Sequence, residues 1–149
     1  MSERAKVVFP LKRAESDYET ESVWAERLSE NRFRILNSPF FVFGVSYEDV
    51  IEAEPEGEIF RFVRVLQRSG RSTYRVILQG GRTVQGVDFA DRWRPFHDRG
   101  CTYESANDKY IAVDMPPDTD VPFLYRLLQD GEDKGVWVFE EGHYAGIQK

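Results

Sequence analysis

The chain has a single cysteine, Cys101, among its 149 residues. One thiol forms no internal disulfide, so packing and hydrogen bonds must hold the fold, and such usage fits a reducing compartment. Histidine is nearly as scarce, with only His97 and His143. A transition-metal site draws on clustered His, Cys and carboxylates, and so little of the first two leads us to expect no metal and no cofactor. His97 and Cys101 are four residues apart, but Gly100 between them reads as a helix end, and Cys101 reads as packing rather than as a nucleophile. No apolar run approaches the roughly 20 residues that span a bilayer. The start, Met1-Ser2-Glu3-Arg4-Ala5-Lys6, lacks the apolar centre of a secretory signal. A cytoplasmic protein with no membrane attachment is the expectation. Neither a P-loop nor a dinucleotide fingerprint is found. Ser69-Gly70-Arg71-Ser72 and Gln79-Gly80-Gly81-Arg82 read as turns, and no catalytic residue is assigned.

Apolar and aromatic residues are plentiful. The sequence is 41% hydrophobic and 14% aromatic, which excludes a disordered chain. A chain of this length buries about 70% of its unfolded surface. Its net charge of −6 is laid out in three blocks. Residues 1–60 hold seven Lys and Arg against thirteen Asp and Glu. Residues 61–99 hold nine Arg against three Asp, and residues 100–149 hold four basic against ten acidic side chains. The blocks either neutralise one another in the fold or present a charged face to a partner.

Along the chain, residues 6–11 read as a strand limited by Pro10. Residues 22–28 and 32–36 read as a hairpin about Ser29-Glu30-Asn31, with Phe33 and Ile35 on one face. Asn37–Val50 follows, with Phe40, Phe41, Val42 and Phe43 in one unbroken run and Gly44 supplying a bend. It is expected to close the N-terminal sheet and form a seam, leaving only Ser46 to Asp49 to face outward. Val50–Glu54 and Ile59–Gln67 are strands about Pro55-Glu56-Gly57. Strict alternation in the second of these would put Phe60, Phe62, Arg64 and Leu66 on one face. From Thr73 onward the order reads strand, helix, strand, strand, helix, strand. The first helix ends at Gly100; the second is capped by Asp120 and runs from Val121 to Asp130, with Gly131 after its end. The fold class expected is α+β. A small β-barrel or curled sheet, residues 1–68, packs on a ferredoxin-like half, residues 73–149.

Three short stretches carry a resemblance: Pro39-Phe40 with Gly44-Val45-Ser46-Tyr47-Glu48-Asp49-Val50, Ser69-Gly70-Arg71-Ser72-Thr73, and Gly100-Cys101-Thr102-Tyr103-Glu104. Through them the chain resembles a bacterial family of small proteins, domain of unknown function 4265, over residues 20–145. The resemblance implies one compact unit in a bacterial cytosol and brings no catalytic residues with it.

Function is read from charge. The first expectation is a non-enzymatic binding protein, of the immunity or inhibitor kind, that meets a basic partner such as a bacterial toxin. Tyr47, Asp49, Asp118, Asp120, Glu140, Glu141, Trp137 and Tyr144 are its candidate contacts, the aromatics serving as anchors. The alternative is a nucleic-acid-associated regulator using Arg61, Arg64, Arg68, Arg71 and Arg75, interleaved with Phe60, Phe62 and Tyr74 for base stacking; a chain pI near 5.0 argues against it. A small-ligand enzyme with its site between the halves stands third, with Glu48, Asp49, Glu104, Asp114, Glu140 and Glu141 as its carboxylates.

Overall fold

In the computed structural model, which describes residues 3–12 and 17–146, the N-terminal run of alternating apolar residues curls until its first and last strands touch. Strands β1 (Glu3–Pro10), β2 (Thr20–Ser29), β3 (Arg32–Ile35), β4 (Val50–Glu56) and β5 (Ile59–Gln67) pair antiparallel in chain order. A short parallel contact of Val7 with Phe60 and Val8 with Arg61 closes the barrel. Val7, Phe9, Val23, Ala25, Phe33, Ile35, Ile51 and Ala53 fill it, and Val42 and Val45 plug it from the segment after β3.

The strict alternation expected in β5 fails after Phe62. Ala53 faces Phe62 but Glu52 faces Arg64, and Ile51 faces Val65 but Val50 faces Gln67. Each skipped residue is a bulge that flips the side chains beyond it. Phe60, Phe62 and Val65 therefore pack on the barrel core, while Arg64 and Leu66 face solvent.

The second sheet contains β6 (Ser72–Leu78), β7 (Thr102–Ser105), β8 (Tyr110–Met115) and β9 (Trp137–His143) in the spatial order β7-β8-β6-β9, with every neighbour antiparallel. Helices α1 (Val87–His97) and α2 (Val121–Asp133) share one core with Tyr74, Val76, Leu78, Ile111, Val113, Met115 and Trp137. The molecule is thus mixed α+β: a five-stranded closed barrel, a four-stranded sheet and two helices.

Helix α2 begins where the sequence indicates, with Asp120 accepting a hydrogen bond from Phe123 N at 3.1 Å. It does not stop at Asp130. Gly131 is a buried residue inside the last turn, where a Cβ would lie 2.4 Å from the Trp137 indole. The stop belongs to Gly135, whose φ of +73° only glycine adopts without strain.

Candidate functional site

Strand alternation gives the second sheet two faces. One carries the helices; the other turns Thr73, Arg75, Tyr110 and Asp114 toward residues 37–49. That segment is in no strand of either sheet, so many of its backbone groups are satisfied by side chains. Arg75, 1% exposed, donates to the carbonyls of Pro39 at 3.3 Å, Phe41 at 3.2 Å and Val42 at 2.9 Å, and to Glu140 at 2.8 Å. Glu21 accepts from the backbone of Phe40, Phe41 and Val42 at 2.5, 3.0 and 3.0 Å. Tyr110 donates its hydroxyl to Phe40 O, Ser38 N donates to Glu104, and Gly44 N bonds Gly142 O at 2.8 Å. The expected seam is present.

Three candidate contacts are corrected by burial. Asp49 is 1% exposed and accepts from Ser46 N at 2.9 Å and Ser69 N at 2.8 Å. It organises its own turn and does not reach outward; Ser46 is buried with it, its hydroxyl 2.6 Å from that of Thr73. Trp137 lies in the helix-side core and donates Nε1 to Leu128 O at 2.8 Å. Arg75 is locked in the seam, so no nucleic acid reaches it. The other arginines of that set are spoken for as well. Arg61 pairs with Glu54 and Glu56, Arg64 with Glu52, Arg68 with Asp49, and Arg71 with Glu48 and Asp114 while lying over the Tyr47 ring. The first five arginines of the middle charge block thus pair with the blocks on either side of it, while Arg82, Arg92 and Arg94 pair with Asp88 and Asp91 inside it.

Four of the remaining candidates are gathered by the fold. Asp118 and Asp120 line a recess of about 300 Å³ at the start of α2, together with Pro116, Val121, Ala145 and Gly146. Glu141 and Tyr144 line a second recess of about 450 Å³ with Tyr74, Val121, Pro122, Tyr125 and Arg126. Val121 belongs to both, so the recesses adjoin. Tyr74 donates its hydroxyl to Glu141 at 2.7 Å, and burial pushes that phenol far above its ordinary value. Tyr74 and Tyr125 meet edge to face at 6.1 Å, with Tyr144 on the rim. Glu140 points to the opposite face of β9, into another recess of about 420 Å³ beside Ile77, Val138 and Phe41. Tyr47 stands apart, half-buried under Arg71.

Sequence reasoning missed Tyr125 and assigned Tyr74 only to base stacking in the nucleic-acid alternative. The signal for Tyr125 was in reach: Val121, Leu124 and Leu128 form the buried stripe of α2, which leaves the tyrosine next to Leu124 at the stripe's edge. Tyr74 is buried at 1% exposure and reaches the recess only through its hydroxyl bond to Glu141, a pairing that strand alternation does not reveal.

Cys101 is buried, and burial, reinforced by the charge of Asp114, pushes its thiol up to about 12. His97 is exposed, its Nδ1 3.6 Å from Asp98. Among the described residues no group of three or more His, Cys, Asp or Glu could hold a metal ion, and no helix is long and apolar enough to cross a membrane.

A family model described as "Domain of unknown function (DUF4265)" matches residues 21–139. Among solved structures, a hypothetical protein from Neisseria gonorrhoeae superposes with a TM-score of 0.82 over 98% of each chain at 17% identity, a likeness of fold. No curated protein matches the chain.

Proposed function

The chain belongs to that family, whose description names no activity, and we propose that it is a non-enzymatic binding module for a basic protein segment. The observation that carries this reading is the pair of adjoining recesses at the start of α2. Three tyrosines wall one of them, Glu141 stands at its rim, and Asp118 and Asp120 continue the acidic edge. Tyrosine supplies contact area at low entropic cost and a hydroxyl for a polar partner. The carboxylates favour a lysine- or arginine-bearing segment and speed its association. An inhibitor or immunity protein acting in a bacterial cytoplasm on a basic toxin is the setting this chemistry suits, and the single buried thiol agrees with a reducing compartment. We also read the second half as ferredoxin-like; the order β7-β8-β6-β9 with both helices in one core supports it.

The test is affinity capture at low salt with the intact chain as bait, alongside Tyr125→Ala, Glu141→Gln and a barrel-face control, Arg64→Ala. A basic protein retained by the wild type and the control, released by salt and lost from both groove variants, supports the proposal. Retention that ignores the groove substitutions, or no retained protein, overturns it.

A further inference from the structure

A carboxylate at the seam has no assigned task. Asp114, on β8, is 3% exposed. Its Oδ2 accepts from Arg71 Nη1 at 2.6 Å, and no protein donor among the described residues reaches its Oδ1. Leaving a buried carboxylate oxygen unmatched is costly. Asp114 borders a recess of about 220 Å³ whose other walls are Leu36, Ser38, Tyr47, Thr102, Tyr103 and Glu104. The three short stretches that carried the family resemblance meet around Asp114: Tyr47, Thr102 and Glu104 stand in the recess wall, and Arg71, paired with Glu48, sits on the carboxylate itself. The first supplies Tyr47 and Glu48, the second Arg71, and the third Thr102 and Glu104.

We propose that this recess is a binding site for a primary ammonium group on a short alkyl stem. Asp114 Oδ1 is the open acceptor at its wall. Glu104 is the second carboxylate, each oxygen taking one bond, from Asn37 Nδ2 at 3.0 Å and from Ser38 N, with lone pairs to spare. Thr102 adds a hydroxyl, and Leu36 and the Tyr47 ring offer apolar surface to the stem. The surrounding charge agrees. Glu48, Glu104 and Asp114 are opposed by the Arg71 guanidinium alone among the charged groups that ion pairs and recess bring to this corner. A compact donor with three N–H groups suits these acceptors; a bulky quaternary ion has no hydrogen to give. The raised carboxyl of Asp114, at about 6 through burial with Glu48 and Glu104 adding to it, is what an acid awaiting a cation would show.

The experiment titrates the isotope-labelled intact protein with propylammonium chloride, with tetramethylammonium chloride at equal ionic strength, and with a lysine derivative whose α-amine and carboxyl are blocked. Saturable shifts in the amides of Thr102, Glu104 and Asp114 with propylammonium, weakened about tenfold or more in Asp114→Asn, support the site. Tighter binding of the lysine derivative assigns the ammonium to a protein side chain, and tighter binding of propylammonium to a free small amine. Non-saturable shifts, equal shifts with tetramethylammonium, or full affinity in Asp114→Asn overturn it. Should Asp114→Asn fail to fold, the wild-type Asp114 carboxyl decides: its titration moves to lower pH when propylammonium is present, and an unmoved titration overturns the proposal. Failure here leaves the tyrosine-walled groove untouched, since the two sites share no residue.

Discussion

Asp49 changes role most between sequence and structure. Read from the chain, it looked outward, and its loss would have altered binding alone. Held at two backbone amides and beside Arg68, it instead closes the turn that ends the seam. Asp49→Ala is therefore expected to lower stability by about 2–3 kcal/mol, because one buried and one half-buried N–H group lose their acceptor; urea midpoints measure it. Asp114 gives a pH signature. Burial raises its carboxyl to about 6 from an ordinary 3.8. The fold thus favours the protonated acid. Its contribution is full below the unfolded value and is lost as pH rises through about 6, since the native state binds more protons over that window. The loss is at most about 3 kcal/mol. His143 slopes the other way, because burial lowers it and the unfolded chain takes up its proton first on acidification. The wild type is therefore to be compared with Asp114→Asn across this range: the falling slope from about pH 4 to pH 6 is expected to vanish in the variant.

At the scale of elements, periodicity located the strands and both helices, because alternation and the 3.6-residue stripe are local properties of the chain. What escaped it depends on neighbours. The β5 bulges are set by pairing with β4, and alternation within one strand holds no record of a partner's register. Gly131 is another instance. As a sequence signal it marks a helix end; in the fold it makes room for Trp137, which comes from β9. Two effects compete at Gly131→Ala. Helix propensity favours alanine by about 1 kcal/mol, while a methyl 2.4 Å from an indole pinned by its bond to Leu128 forces repacking at about 1–3 kcal/mol. The clash is expected to win, lowering the thermal midpoint, with Trp137 fluorescence shifted in the native state.

For the whole molecule, the decisive contacts join the halves. The seam was legible as a run too apolar to be a free loop, but its partners were not. Nothing in the spacing of Glu21, Arg75, Glu104 and Tyr110 says that all four grip the same segment. The candidate site was legible in part for the same reason: Asp118, Asp120, Glu141 and Tyr144 were chosen for charge and aromaticity, and only the packing of β9 beside the start of α2 brings them together. Because residues 37–49 plug the barrel and also cover the second sheet, neither half is complete without them. One unfolding transition is expected, with far-ultraviolet dichroism and tryptophan fluorescence coinciding, since Trp24 reports the barrel and Trp137 the second core. Arg75→Met strips three seam carbonyls and Glu140 of their donor. It is expected to cost about 3–5 kcal/mol and to separate the two probes.

The bond from Gly44 to Gly142 has a consequence in time. It ties an early residue to the last strand of the chain, as does the pairing of Arg75 with Glu140. A chain emerging from its N-terminus can curl the barrel strands long before β9 exists, yet the segment that plugs the barrel must wait for that strand to be fully held. Contacts so distant in sequence slow folding, because the loop they close is ordered before they reward it. The nascent barrel therefore passes through an interval with its aromatic seam uncovered, and the speed with which β9 docks sets how long Phe40 and Phe41 stay open to the wrong neighbour.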